Sequence, residues 1–143
     1  MPISTTFREA RAAIVATIRG ITPTHPHYSG ALWNEVKSKD EVPSADLRNF
    51  YVELSDPEET GEIYGGCAEH EAELMIWTSY GSLSPNDQQD IRSDDKQDLW
   101  QQLHRAEIDG VSKFAKGGFE PETTDGRLWG AHVLTATIFL PLP

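Results

Sequence analysis

Residues 73–81 constrain the fold of this chain more than any other segment. On an extended strand, one face of the segment would carry four of its side chains: Leu74, Ile76, Thr78 and Tyr80. The other face would carry Met75 and Trp77. A strand with apolar side chains on both faces is covered on both sides, by helices, by sheet neighbours or by another subunit. The segment therefore predicts the central strand of a packed sheet, and by itself it indicates no chemistry.

A helix is predicted near the start of the chain. Thr6 and Glu9 have the spacing of a capping box, in which a hydroxyl and a carboxylate satisfy free N–H groups of the first turn. The apolar residues recur at helical intervals: Phe7, Ala10, Ile14 and Ile18. The pattern predicts a helix over residues 7–19, and we expect Gly20 to end it in a left-handed conformation.

A second helix is predicted after the central strand. Its apolar stripe consists of Leu99, Trp100, Leu103 and Ala106. Asp94 and Asp95 precede this stripe, and carboxylates are favourable near a helix N-terminus because of the helix dipole. We therefore expect a helix over residues 93–106, with residues 85–92 as its extension or as a separate turn.

The remaining segments complete the predicted fold. Three of them have the alternation or the composition of strands: residues 49–54, 111–119 and 128–140. Residues 62–67 could extend a hairpin, whereas residues 56–61 and 121–126 have the composition of exposed turns. Residues 21–46 are rich in proline and predicted to be mostly a long loop, within which residues 31–36 could form a short helix or strand. Residues 1–143 are thus expected to form one α+β domain, with a mostly antiparallel sheet of about four strands and two helices packed on one face.

Charge and composition exclude several classes of protein. The net charge is −11, with 23 acidic residues against 12 Lys and Arg, so a basic face that neutralises nucleic-acid phosphates is not expected. A surface that lies near DNA without binding it remains compatible with this charge. Cys67 is the only cysteine, which excludes an intrachain disulfide. No apolar run approaches the roughly 20 residues that span a bilayer, and the first residues lack the pattern of a secretory signal.

Three short groups of residues carry side chains that could perform chemistry: Cys67 with His70, His25 with His27, and Asp94 and Asp95 with Asp98. The first group would need convergent partners elsewhere, and the histidine pair lacks a third metal ligand nearby. The three acids fit a helix start better than a cation site. We therefore assign no catalytic, cofactor-binding or metal-binding residue, and the chain is not expected to be an enzyme.

The order of the elements resembles that of the tail terminator proteins of tailed bacteriophages. The resemblance rests on the N-terminal helix, the strands at 50–54 and 73–80, the acidic segment 91–95 followed by Leu99 and Leu103, the turn at 109–111, and the long strand from Trp129. It extends over roughly residues 5–140 and includes no motif that would assign a function to an individual residue.

What the resemblance implies is a structural virion protein. Tail terminators form a homo-hexameric ring that caps the tail tube at the head–tail joint and connects it to the head-side connector. Their contacts are heterologous and close by rotation. An acidic lumen would let DNA pass without sequence-specific binding. The implied partners are the tube protein and the connector, with no membrane, and the implied location is the neck region of the virion after assembly in the host cytoplasm.

Two alternatives remain at this point. One is another head–tail adaptor or a tail completion protein, which would belong to the same assembly. The other is a small α/β enzyme or ligand-binding domain, whose site would include His70, Cys67 or His132. A ring protein should assemble with six-fold symmetry and lack a deep polar pocket, whereas a monomer with a closed pocket converging on Cys67 and His70 would favour the enzyme.

Overall fold

A computed structural model describes residues 4–22, 33–44, 49–81, 84–124 and 126–143. The elements follow in the order α1 (Phe7–Arg19), β1 (Asn34–Glu35), a 3₁₀ helix (Lys39–Ser44), β2 (Asn49–Leu54), β3 (Glu58–Tyr64), β4 (Cys67–Gly81), α2 (Pro85–Arg105), β5 (Val111–Thr124) and β6 (Arg127–Pro141). The strands form one sheet in the order β1–β2–β4–β6–β5, and β3 also pairs with β4. Among the described strands, only β1 and β2 run parallel to each other. Within the described ranges, no helix is long and apolar enough to cross a membrane.

The prediction of about four strands and two helices is wrong, because within the described ranges the sheet has six strands and a 3₁₀ helix accompanies the two α-helices. The α+β class and the mostly antiparallel pairing agree with the prediction. The two additional strands are β1 and β3. β1 lies within residues 31–36, for which a short helix or strand had been left open, and only residues 62–64 of β3 fall in the possible hairpin extension. Residues 58–61 of β3 were predicted to be a turn, and β5 likewise continues to Thr124 through the predicted turn at 121–126. Both segments become strands because long neighbouring strands provide backbone partners for them.

The first helix has the predicted bounds. The Thr6 hydroxyl accepts a hydrogen bond from the Glu9 N–H at 3.1 Å, as the capping pattern predicts. The buried side chains of α1 lie on one face: Ala10, Ile14, Val15 and Ile18. The predicted left-handed stop is wrong, because Gly20 is right-handed (φ −87°) and its N–H still bonds to the Thr17 carbonyl at 3.1 Å. The chain therefore leaves α1 without a reversal of backbone hand.

The second helix begins earlier than the apolar stripe predicts. It is continuous from Pro85 to Arg105, so residues 85–92 are its extension, and its N-cap is Ser84. Asp94 and Asp95 therefore lie in the middle of α2, and the prediction that they stabilise a helix start is wrong. The first two turns of α2 are almost wholly polar and bury little besides Ile91, so they lack the apolar periodicity that predicts a helix.

Both helices pack on one face of the sheet, as predicted. Their shared core consists of Ile14, Val15 and Ile18 of α1, Leu99 and Leu103 of α2, and sheet residues that include Phe50, Val52, Leu74, Ile76, Leu134, Ala136 and Ile138. The opposite face of the central strand is covered as well. There Val42 of the 3₁₀ helix packs with Trp77, Trp129 and Ala131. The prediction of a central strand covered on both faces is thus confirmed for β4, which begins at Cys67 rather than at residue 73.

Candidate functional site

A buried hydrogen-bonded cluster joins α2 to the middle of the sheet. The Tyr80 hydroxyl of β4 donates to Oδ2 of Asp95 on α2 at 2.6 Å, and Nε2 of His132 on β6 lies 2.6 Å from the same hydroxyl oxygen. Because the phenolic proton is donated to Asp95, Nε2 of His132 is the donor to the phenolic oxygen. The exposed fractions of the three residues are 1%, 0% and 1%, respectively. Buried polar groups of this kind require hydrogen-bond partners, and here each provides one for another.

Packing around the cluster fixes its geometry. His132 lies opposite Ile76 in the β4–β6 register, so both side chains point toward the helices. The Phe119 ring of β5 contacts the His132 ring with centroids 5.0 Å apart. Gly130 makes room for this ring, because a Cβ at position 130 would lie 2.6 Å from Phe119 Cζ. On α2, Asp95 lies four residues after Ile91, so both face the sheet.

The cluster ties α2 to the sheet, because Asp95 of the helix is hydrogen-bonded to Tyr80 of β4. The three residues are at most 1% exposed, and His132 also lines the cleft beside α2. The sequence had suggested only His132, and only as one member of an alternative site. Tyr80 and Asp95 were missed as polar partners, although a carboxylate on the apolar stripe of α2, four residues from both Ile91 and Leu99, was a readable signal.

A basic cleft lies beside this cluster, between α2 and β5. Its volume is about 440 Å³, and its cationic lining residues are Arg92, Lys96 and Lys116. Two side-chain amides, those of Gln89 and Gln97, add further hydrogen-bonding groups to the lining. We refer to this site as the basic cleft. It concentrates positive charge in a chain whose net charge is −11.

Lys96 is held at the back of the basic cleft by backbone carbonyls. Its Nζ atom donates to the carbonyl of Gly118 at 2.6 Å and to those of Gly117 and Val133 at 3.2 Å. These contacts bridge an irregularity in the β5–β6 pairing between Lys116 and Phe119. Burial and, second, the nearby charge of Lys116 lower the pKa of Lys96 to about 8.

None of the three cations of the basic cleft has a carboxylate partner among the described residues. Lys116 donates to Oε1 of Gln97 at 2.7 Å and lies over the Trp100 ring at 4.4 Å. Arg92 lies 4.8 Å from the centroid of the Phe119 ring and donates to a backbone carbonyl of its own helix. The contacts within the subunit thus leave the positive charge unneutralised, which suits an anionic ligand.

An acidic wing lies at the other edge of the sheet. We use this name for β3, Glu58–Tyr64, every residue of which is exposed. It pairs with residues 67–71 of β4 only, beyond the end of β2. The wing carries Glu58, Glu59 and Glu62, and it also exposes Ile63 and Tyr64 by 63% and 39%. Leu142, 40% exposed, lies at the same end, since its N–H bonds to the Gly66 carbonyl. Clustered exposed apolar side chains are typical of interaction sites.

The three residues of the alternative enzyme site do not meet. Cys67 is buried and His70 lies on the opposite face of β4, as their spacing along a strand requires. His70 pairs with position 138 of β6, six residues from His132, which places the two rings about 20 Å apart along the strand. Within the described ranges no three His, Cys, Asp or Glu residues form a metal-binding group, and His25 and His27 lie outside those ranges.

Comparisons with known proteins give no assignment. No protein-family model matches the chain, and no curated protein matches its sequence. The features that bear on function are the basic cleft, the acidic wing and the sheet that separates them.

Proposed function

We propose that the protein is a tail terminator of a tailed bacteriophage, a ring-forming subunit that caps the tail tube at the head–tail joint. The observation that carries the proposal is the presence of two exposed and unlike edges on opposite sides of one sheet. The acidic wing borders β4 on one side, and β5 borders β6 on the other. The order of elements predicted from the sequence supports the same function.

Unlike edges favour a ring. The wing and β5 are separated by three interstrand spacings, or about 14 Å. An edge strand exposes unpaired backbone groups and invites a partner. If one edge of a subunit meets the other edge of its neighbour, the contact is heterologous, and repetition gives a closed ring or a filament. A terminator must close, because it ends a tube instead of extending it.

The acidic composition suits a protein through which DNA moves. A ring of subunits that each carry a net charge of −11 repels phosphate groups and does not retain a passing duplex. The basic cleft is compatible with this role provided that it faces a neighbouring subunit and not the lumen. On this proposal the protein belongs to the neck of the virion and contacts the tube protein below and the connector above.

The test combines assembly with tube capping. Native mass spectrometry and negative-stain microscopy of the purified protein, alone and with the tube protein of the same virus, should show six-fold rings bound at one end of each tube. Addition of the protein to polymerising tube protein should stop elongation. Monomers that leave tube length unchanged would refute the proposal. Rings that bind the connector but not the tube would instead favour a head–tail adaptor.

A further inference from the structure

We propose that the acidic wing of one subunit docks into the basic cleft of the next copy of the same chain. This contact rests on the proposed function, since it supplies the interface of the proposed ring. It also specifies that function further, because it names the two surfaces and the residues that meet. The occupant of the basic cleft is thus the Glu59 carboxylate together with the Ile63 side chain, from the helix side of β3 of a second copy.

The first argument is charge. The basic cleft gathers Arg92, Lys96 and Lys116 without an internal carboxylate partner among the described residues. On the wing, Glu59 and Glu62 have no Lys or Arg partner among those residues, and the nearest ionisable contact is His70 Nε2, 4.0 Å from Glu59. Each surface therefore lacks what the other provides. A docked carboxylate would stabilise the charged form of Lys96, whose pKa lies at about 8 in the subunit alone.

The second argument is the side of the sheet on which these groups lie. Glu59 and Ile63 pair with positions 70 and 68 of β4, and these positions pair with 138 and 140 of β6. Position 138 belongs to the main core, so Glu59 and Ile63 project on the side that carries the helices. Lys116 pairs with the core residue Leu134 and projects on that side too. Both contact surfaces thus lie on the helix side of the sheet. Neighbouring subunits can then be related by a rotation about a ring axis, without one of them being turned over.

The third argument is exposed apolar surface. Ile63 is 63% exposed in the subunit, and the basic cleft has the half-buried Phe119 in its lining. Burial of an isoleucine against an aromatic ring would add the apolar component that carboxylate–ammonium pairs at a rim do not supply. The wing and the basic cleft differ in position by about six residues along the strands, or about 20 Å, so the strands would be inclined to the ring axis.

The experiment exchanges charges between the two surfaces. Lys116→Glu reverses the basic cleft and Glu59→Lys reverses the wing, while Lys96 is kept because it holds the β5 irregularity. Each single variant should raise the concentration for half-assembly at least about tenfold, because like charges then face each other. A one-to-one mixture of the two variants should restore assembly, with subunits alternating around the ring. Sedimentation velocity and native mass spectrometry measure both effects.

The chain offers matched controls on the opposite face of each strand. Lys113 pairs with position 137 and Glu58 pairs with position 71, so Lys113→Glu and Glu58→Lys make the same charge changes on the side away from the helices. Both controls should assemble like the unmodified protein. Circular dichroism melting of all four variants separates a lost contact from a lost fold. In the unmodified protein, carbodiimide should join Glu59 of one copy to Lys116 of another.

The outcomes separate this contact from the proposed function. Rings that cap tubes equally well with either reversed charge would overturn the contact and leave the terminator function standing. Charge-dependent assembly that gives filaments or dimers without any effect on tubes would support the contact and refute the terminator function. Occupation of the basic cleft only by inorganic phosphate or by another virion protein, with cross-links to that protein alone, would also overturn the contact.

Discussion

Replacement of Tyr80 by phenylalanine should destabilise the fold by removing one hydroxyl at its centre. That hydroxyl is hydrogen-bonded to both Asp95 and His132 at 2.6 Å, and all three side chains are at most 1% exposed. One hydrogen bond contributes about 0.5–1.5 kcal/mol, and a buried polar group left without its partner costs about 1–3 kcal/mol. The expected loss is therefore about 2–4 kcal/mol of the free energy of unfolding, since the ring of Phe fills the same space.

This loss is measurable without abolishing the fold. A domain of this size has a stability of about 5–15 kcal/mol, so the variant should still be folded at 25 °C. With 143 residues the unfolding entropy at the midpoint is about 0.3 kcal/mol/K, and a loss of about 3 kcal/mol lowers the melting temperature by about 10 °C. Urea unfolding should show a lower midpoint with an unchanged slope, because the area exposed on unfolding is the same.

A second tyrosine provides the control. Tyr51 of β2 is half-buried, and its hydroxyl makes no hydrogen bond to another described residue. Tyr51→Phe should change the free energy of unfolding by no more than about 0.5 kcal/mol. If Tyr80→Phe cost no more than Tyr51→Phe, the buried cluster would not be what holds α2 on the sheet, and the reasoning from its geometry would be refuted.

Three further predictions follow from the other contacts. The pKa of Lys96 falls from 10.5 to about 8 on folding, so between these two values the unfolded chain binds more protons than the folded one. The free energy of unfolding, relative to that of Lys96→Met, should therefore rise with pH across that window. Urea unfolding at several pH values measures this difference, and a difference that does not change with pH would contradict the lowered pKa. Gly130→Ala should cost about 1–3 kcal/mol because its Cβ would overlap the Glu120 carbonyl and the Phe119 ring, whereas Gly118→Ala, which meets no atom within 4 Å, should be nearly neutral in the same melts. Assembly through the wing and the basic cleft should weaken when the salt concentration is raised from 0.15 M to 1 M, because the Debye length falls from about 8 Å to about 3 Å. Sedimentation velocity measures this, and stronger association at high salt would indicate an apolar interface instead.

The hydrophobic pattern of the sequence was sufficient to predict elements that bury one face or both faces. The periodicity of α1 and the alternation of β2 gave correct bounds, because each buries one face against the same core. The two-faced apolar pattern of β4 correctly indicated cover on both sides. In these elements the side chains that determine the local conformation are also those that pack, so the pattern can be read without knowledge of the neighbours.

The wing could not be predicted in this way. All residues of β3 are exposed, so burial produces no alternation, and its glutamates and Gly61 have the composition of a turn. It is a strand because the long β4 offers unpaired backbone beyond the end of β2, which is a property of another part of the chain. A strand that is extended yet gains no core contacts within its own subunit leaves its edge and side chains open to a second chain.

The basic cleft could not be predicted either, because its cations come together only in the folded chain. Arg92, Lys96 and Lys116 come from two elements that meet only when β5 pairs with β6 beside α2, and each of them alone resembles an ordinary surface cation. In a chain with 23 acidic residues against 12 basic ones, a cleft whose charged lining residues are all cations is a local exception to the overall negative charge. Three such cations at one cleft, with carboxylates exposed at the opposite edge of the same sheet, describe two halves of an interface. Exchange of the charges at Lys116 and Glu59 tests whether these halves belong together.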